Sequence, residues 1–204
     1  MEIKQRLLTI LIIACIFLSG CSGEEPEIKN FDVDNFEILS AKGYWDEASG
    51  LAVNWQRDAY LTNASVEIPL PNANRGIKAG TLFRFQALGN DTSFLLVNCS
   101  KNMCDKKESK RNPEFPVTHG KPITKSDFDI SSANAFEIGV REGGIEYIYN
   151  DNSEAFLILI RDNPDKSGPV IWVVNFIQFR TGDFPDELMV EIDANTGEVL
   201  ETSQ

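Results

Sequence analysis

Histidine is almost missing from this chain: His119 is the only one in 204 residues. A zinc centre built on two or three histidines is thereby excluded. A Ser-His-Asp site needs only one, but His119 stands in Val117-Thr118-His119-Gly120-Lys121-Pro122 with no nucleophile motif around it. That stretch reads as a loop and His119 as a solvated loop side chain. Positive charge is also scarce, with 19 basic against 31 acidic residues and a net charge of −12. Nucleic-acid binders need a basic footprint, so that class is set aside. No glycine-rich phosphate loop of the Walker or dinucleotide type occurs, and no cofactor is expected. An apolar share of 42% is nonetheless ample for a packed core.

Long apolar runs are missing too. The longest, Leu7 to Phe17, is too short for a permanent span of a hydrocarbon core of roughly 30 Å. Behind the basic Lys4 and Arg6 it fits the apolar region of a secretory signal. Leu18-Ser19-Gly20-Cys21 follows at once and resembles the lipobox of prokaryotic lipoproteins. The resemblance implies cleavage before Cys21 and a lipid on its thiol, with residues 1–20 removed as signal. Removing Lys4, Arg6 and Glu2 leaves 17 basic against 30 acidic residues. Ser22-Gly23-Glu24-Glu25-Pro26-Glu27 is small, acidic and poor in apolar residues, so 21–34 is expected to be a flexible tether. Lipid and tether together place a globular domain at the extracytoplasmic side of a cell membrane, with the membrane as its first partner.

Four cysteines are present. Cys15 lies in the signal and Cys21 would carry lipid, which leaves Cys99 and Cys104 in an oxidising compartment. A bridge at a hairpin end is expected, since 93–99 reads as a strand and 100–103 as a tight connection. Two reduced thiols or half of a metal site are the alternatives, and two cysteines with no histidine nearby make a poor zinc site.

Trp45, Ala48, Ala52, Trp55 and Ala59 recur at steps of three and four, predicting a helix over 41–62 with a core-facing stripe. Strands are expected at 66–68, 82–88 and 93–99. Residues 105–122, with Lys106-Lys107-Glu108-Ser109-Lys110-Arg111, read as a solvated loop or as a basic run that meets anionic lipid or wall polymer. A second helix, capped by Ser131 or Ser132, carries Ala133, Phe136 and Val140 on one face and ends at Gly143-Gly144. Strands are then expected at 145–149, 155–161, 170–180 and 188–193. Both halves read helix first and strands after, although their sequence identity is too faint to establish a duplication. The expected fold is α+β, with antiparallel meander sheets and the helices on one face. The boundaries are 35–125 for a helix plus strands and 126–204 for the second set.

Val190-Glu191-Ile192-Asp193-Ala194-Asn195-Thr196-Gly197-Glu198-Val199-Leu200 is a strand, a turn suited to Asx bonding, and a new strand. It resembles the closing hairpin of PepSY domains. Residues 126–142, with Ala133 and Ala135, look like that family's leading helix, and Val170-Ile171-Trp172-Val173-Val174 like its central strand. The likeness covers 126–201, with 145–170 longer than a minimal unit. It implies a non-catalytic module that binds or restrains another protein, and it supplies no catalytic positions.

Other chemistry is thin. Asp32 and Asp34, Asp127 and Asp129, and Asp183, Asp186 and Glu187 are carboxylate pairs of the kind that an acid-rich chain produces by chance. Asn163 to Gly168 has a faint look of a calcium loop, but Val174 stands where its closing glutamate belongs, so a hairpin turn is the better reading. Asn63, Asn90 and Asn98 head glycosylation sequons. No metal site is expected. The expected function is non-enzymatic binding of another exported protein or peptide, through an open sheet edge and through aromatic anchors near Trp172, Phe176 and Phe179. Core packing is the competing reading of those aromatics. An exported hydrolase with a carboxylate-based site is the alternative function.

Overall fold

The structure is a computed structural model, and it describes residues 31–73, 76–101, 103–112, 120–162, 168–180 and 184–204. Eight strands pair antiparallel in one sheet, ordered β4-β3-β2-β1-β5-β6-β7-β8. They are β1 (Ala59–Ile68), β2 (Gly80–Ala87), β3 (Asn90–Ser100), β4 (Met103–Lys110), β5 (Ser153–Arg161), β6 (Val170–Gln178), β7 (Asp186–Asp193) and β8 (Val199–Ser203). Two meanders of four strands therefore meet along β1 and β5, where Ala64 faces Leu159 and Val66 faces Leu157. This is the α+β arrangement expected from the strand and helix order. Residues 35–125 and 126–204 are not separable bodies, because that seam runs through the middle of one sheet and Phe31–Gln204 form one compact unit.

Helix α1 (Ala41–Trp55) opens with the Ser40 hydroxyl accepting the Gly43 amide at 3.1 Å. It ends seven residues before the predicted limit of 62. Gln56 turns extended, and 59–68 is taken into the sheet, where Tyr60 and Leu61 pair with Gln86 and Phe85. A pairing partner for ten residues outweighs one more helical turn. Ala48 and Ala52 are fully buried, which lets the helix backbone sit close to the sheet, and Trp45 and Trp55 pack at the margins.

Helix α2 (Ser132–Gly139) begins at Ser131, whose hydroxyl accepts the Asn134 amide at 3.1 Å. The predicted strand 145–149 is absent: a wide turn, Val140–Gly144, leads into a short helix α3 (Ile145–Ile148). Gly143 at φ 118° lets the chain change direction, and a Cβ on Gly144 would run into the Phe176 ring. The Gly-Gly pair thus bends the helical path against the sheet, with Ile148 buried, instead of releasing it into a strand.

The predicted loop at 105–122 is, over 103–110, the edge strand β4, in register with β3 from Ser93↔Lys110 to Ser100↔Met103. No apolar alternation announced it, because an edge strand on solvent needs none, and its lysines guard the edge against further pairing. The predicted tether also stops short of 34. Asp32 caps the turn Val33–Asn35, and Phe31 packs 5.6 Å from Phe36 and 6.0 Å from Phe136.

All helices lie on one face of the sheet, over a core holding Phe83, Leu157, Trp172, Val174, Phe176 and Phe136. Aromatic rings knit it together: Phe128 meets Trp172 edge-on at 6.3 Å, and Phe136 stacks on Phe176 at 5.7 Å.

Candidate functional site

Strand alternation puts one set of side chains under the helices and the other set on the opposite face. Among the described residues no helix covers that second face. On β2 and β3 it bears Leu82, Arg84, Gln86, Phe94 and Leu96, and on β1 Tyr60. On β5 it bears Glu154, Phe156, Ile158 and Ile160, and on β6 Ile171, Val173 and Asn175, in register as Phe156↔Asn175, Ile158↔Val173 and Ile160↔Ile171. Met189 and Glu191 continue it on β7. Its central members, Ile171 and Val173, are buried between their neighbours, while Phe156, Ile158 and Ile160 are half-buried. The result is an apolar stripe on the second half of the sheet, edged by Glu67, Glu154, Glu191 and Glu201.

Where the halves meet, a crevice of about 300 Å³ opens on this face. Ser65 and Glu67 of β1, Phe156 and Ile158 of β5, and Ile77 from the β1–β2 connection line it. Glu191 lies directly across from Glu201. Burial, then the charges of Glu201 and Asp162, push its carboxyl above the ordinary glutamate range.

At the other end of the face Arg84 and Arg111 stand together. The Arg84 guanidinium lies 4.1 Å over the Phe94 ring. Burial, then the charge of Arg111, lower its pKa. Next to them the Tyr60 hydroxyl donates to Gln86 Oε1 at 3.3 Å. Burial raises the Tyr60 pKa against the opposing charge of Arg111, and Asp91 and Asp58 add to the rise.

The residues singled out in the sequence distribute as follows. Cys99 and Cys104 form a disulfide across β3 and β4, with Cα atoms 4.0 Å apart. Cys21, the signal and lipobox, His119 and residues 163–167 lie outside the described residues. Trp172 and Phe176 are 0% exposed and belong to the helix-covered core, so they are not a partner surface. Both sit at positions of β6 that point toward α2, where large rings fill the space between layers. Trp172 also donates its indole N–H to the Ile130 carbonyl at 3.0 Å. Phe179, just past β6, is 37% exposed.

Several of the carboxylates are bonded within the fold. Asp127 Oδ2 accepts the Thr124 amide at 2.7 Å and meets the buried Arg161 at 3.3 Å. Burial opposes its ionisation, but the bonds from Thr124 and the charge of Arg161 prevail and lower its pKa. Arg161 also donates to the carbonyls of Lys121, Pro122 and Gly168, which fixes the incoming loop to β5. Asp129 pairs with Lys42, and Asp186 with Arg180. Among the described residues no three His, Cys, Asp or Glu side chains gather as a metal site.

The Asp193–Gly197 turn is built as its sequence suggests. Asp193 Oδ1 accepts the amides of Thr196 at 2.8 Å and Asn195 at 2.9 Å, and Gly197 adopts φ 78°. These bonds, the Thr196 amide first, lower the Asp193 pKa. The Ala194 carbonyl then accepts two amides, from Asp129 and Ile130, so the turn also anchors the lead-in to α2.

No known family model matches this chain, and no curated protein matches it either. Arg84 was visible only as a polar member of the alternating Leu82–Leu88 run and Arg111 only as the end of the basic run 106–111, so nothing in the sequence joined the two.

Proposed function

We propose that this protein is a non-catalytic binding module, held by lipid on Cys21 at the extracytoplasmic side of a cell membrane. The observation that carries the reading is the helix-free face: an apolar stripe through Phe156, Ile158 and Val173 with a glutamate rim. Apolar side chains arrayed on a sheet suit a partner, and the rim selects one of opposite charge. The occupant is a basic peptide segment of another exported protein, its apolar side chains on the stripe and its lysines or arginines at Glu67, Glu154, Glu191 and Glu201. The likeness of 126–201 to PepSY domains supports a module that works by binding. The short apolar segment followed by Leu18-Ser19-Gly20-Cys21 supports the location.

The test has two arms. Photo-crosslinking from position 158 in intact cells should capture a defined partner, and a charge-reversing Glu154→Lys, Glu191→Lys pair should lose it. Cys21→Ala should release the protein from the membrane fraction or leave an uncleaved precursor. Membrane attachment and processing unchanged in that variant would overturn the lipid reading. A partner retained undiminished by the charge-reversed pair would overturn the binding reading.

A further inference from the structure

Among the described residues, two guanidinium groups on the helix-free face of the first meander hold hydrogen-bond donors with no acceptor. Arg84 Nε, Arg111 Nε and Arg111 Nη2 are all shielded from solvent and bonded to nothing. A shielded donor without an acceptor is costly, and more so when it carries charge. The arrangement adds a second cost, because the two cations are near enough for Arg111 to depress the Arg84 pKa. Two neighbouring carboxylates have other donors: Asp58 Oδ2 accepts the Gly89 amide at 3.0 Å, and Glu108 Oε1 accepts the Ser93 hydroxyl at 2.6 Å. Asp91 has partners of its own.

The pair is held in place. Arg84 projects from a central strand and is stacked on Phe94, which limits its rotamers. Arg111 directly follows β4, and its amide donates to the Thr92 carbonyl at 2.8 Å. Beside it a crevice of about 740 Å³ opens, lined by Asp91, Thr92, Ser93, Glu108, Lys110 and Arg111. Arg111 thus lines a space large enough for a small ligand, with the Lys110 ammonium and the Asp91 and Glu108 carboxylates at its wall, and Arg84 stands behind it over the Phe94 ring.

We propose that Arg84 and Arg111 form a binding site for a compact oxyanion, a phosphate group with at least two oxygens free to accept from guanidinium N–H donors. One anion between the two cations supplies the missing acceptors and cancels their repulsion. Guanidinium forks match phosphate oxygens in geometry as well as charge. The aromatic Phe94 and the hydroxyls of Thr92 and Ser93 leave room for a substituent on the phosphate. This site lies at the opposite end of the face from the apolar stripe and stands whether or not the stripe binds peptide.

The experiment titrates inorganic phosphate into the full chain and follows the arginine Nε–H resonances by NMR. Saturable shifts of the Arg84 and Arg111 signals are expected. Arg84→Gln and Arg111→Gln should each weaken binding by about tenfold or more, as loss of a charged hydrogen-bond donor predicts. Arg57→Gln on the exposed surface should leave it unchanged. Should the glutamine variants fail to fold, Arg84→Lys and Arg111→Lys keep the charge but lose the fork, and the same weakening is expected. A second arm replaces phosphate by phosphatidylglycerol vesicles, with phosphatidylcholine vesicles as control. Shifts with phosphate and with the anionic vesicles identify a lipid headgroup site, and shifts with phosphate alone a soluble phosphate. Shifts that rise linearly with salt, or affinity undiminished in the arginine variants, would overturn the proposal.

Discussion

The two faces of the sheet are built from the same strands and do different work. Under the helices, Val174, Phe176 and Leu188 are buried without residue, and the close approach of Gly144 to the Phe176 ring leaves no slack. On the other face, Phe156, Ile158 and Ile160 are equally apolar but only half-buried, and they end among glutamates. The first face is completed by the chain's own helices. The second keeps apolar surface that alternation alone would have made polar. Sequence apolarity therefore marks two different things along β5: a helix-covered core and a half-buried surface that no described helix covers.

The sharpest way to break this comparison is to truncate one phenylalanine on each face. Phe176→Ala should lower stability by about 3–5 kcal/mol, since it empties space between packed layers. Phe156→Ala should cost about 1 kcal/mol, because its neighbours and water already share its surroundings. Urea unfolding followed by circular dichroism measures both. Equal losses would make the helix-free face a second core and end the distinction.

A smaller effect is expected at the covalent tie between β3 and β4. Replacing Cys99 and Cys104 by serine together should cost about 2 kcal/mol, mainly through a freer unfolded chain. The loss should appear as a lower urea midpoint and should match that seen on reducing the unmodified protein. A midpoint unchanged by both treatments would show that the edge strand does not depend on its bridge.

The smallest effect sharpens the charge side of the comparison. Burial, then the charge of Glu201, hold the Glu191 carboxyl above the ordinary glutamate range. Its folded pKa lies above the unfolded one, so its contribution favours the fold at low pH and is lost as pH rises through the folded value. Glu191→Gln should therefore stabilise the protein at pH 7 by a few tenths of a kcal/mol. That gain should vanish below about pH 4, where the carboxyl is protonated in either state. Thermal melts of the two proteins across pH 3–8 test the sign.

Much of this architecture was legible because it rests on local patterns. Ala48 and Ala52 on one helical stripe, the apolar run Phe156–Ile160, and the Asp193–Gly197 turn each state their geometry in residues a few positions apart. The misreadings fall where distant contacts decide. Residues 59–62 continue the helical spacing of α1 but are claimed by β2. The Gly143-Gly144 pair looks like a helix stop until Phe176 is seen beneath it. Residues 103–110 carry no strand pattern, because the strand lies at the sheet edge, held by β3 on one side and tied to Glu47 of α1 through the Cys104 amide. The candidate sites were less legible than the fold. Trp172 and Phe176 looked like anchors, since aromatic character does not reveal which side of a central strand lies under a helix.

By itself the sequence determined the start of the second helix at Ser131 or Ser132, the central apolar strands, the cysteine pair and the closing turn. It also carries Leu18-Ser19-Gly20-Cys21, on which the proposed lipid anchor rests without any help from the fold. Only the tertiary structure decided that two meanders share one sheet through β1 and β5, since nothing local encodes which strand edges meet. It alone brought Arg84 and Arg111 together, because their proximity depends on the β2–β3–β4 register. It alone divided the apolar residues of β5 and β6 between a filled core and a face that no described helix covers, because burial is a property of what packs above a side chain and not of the side chain itself.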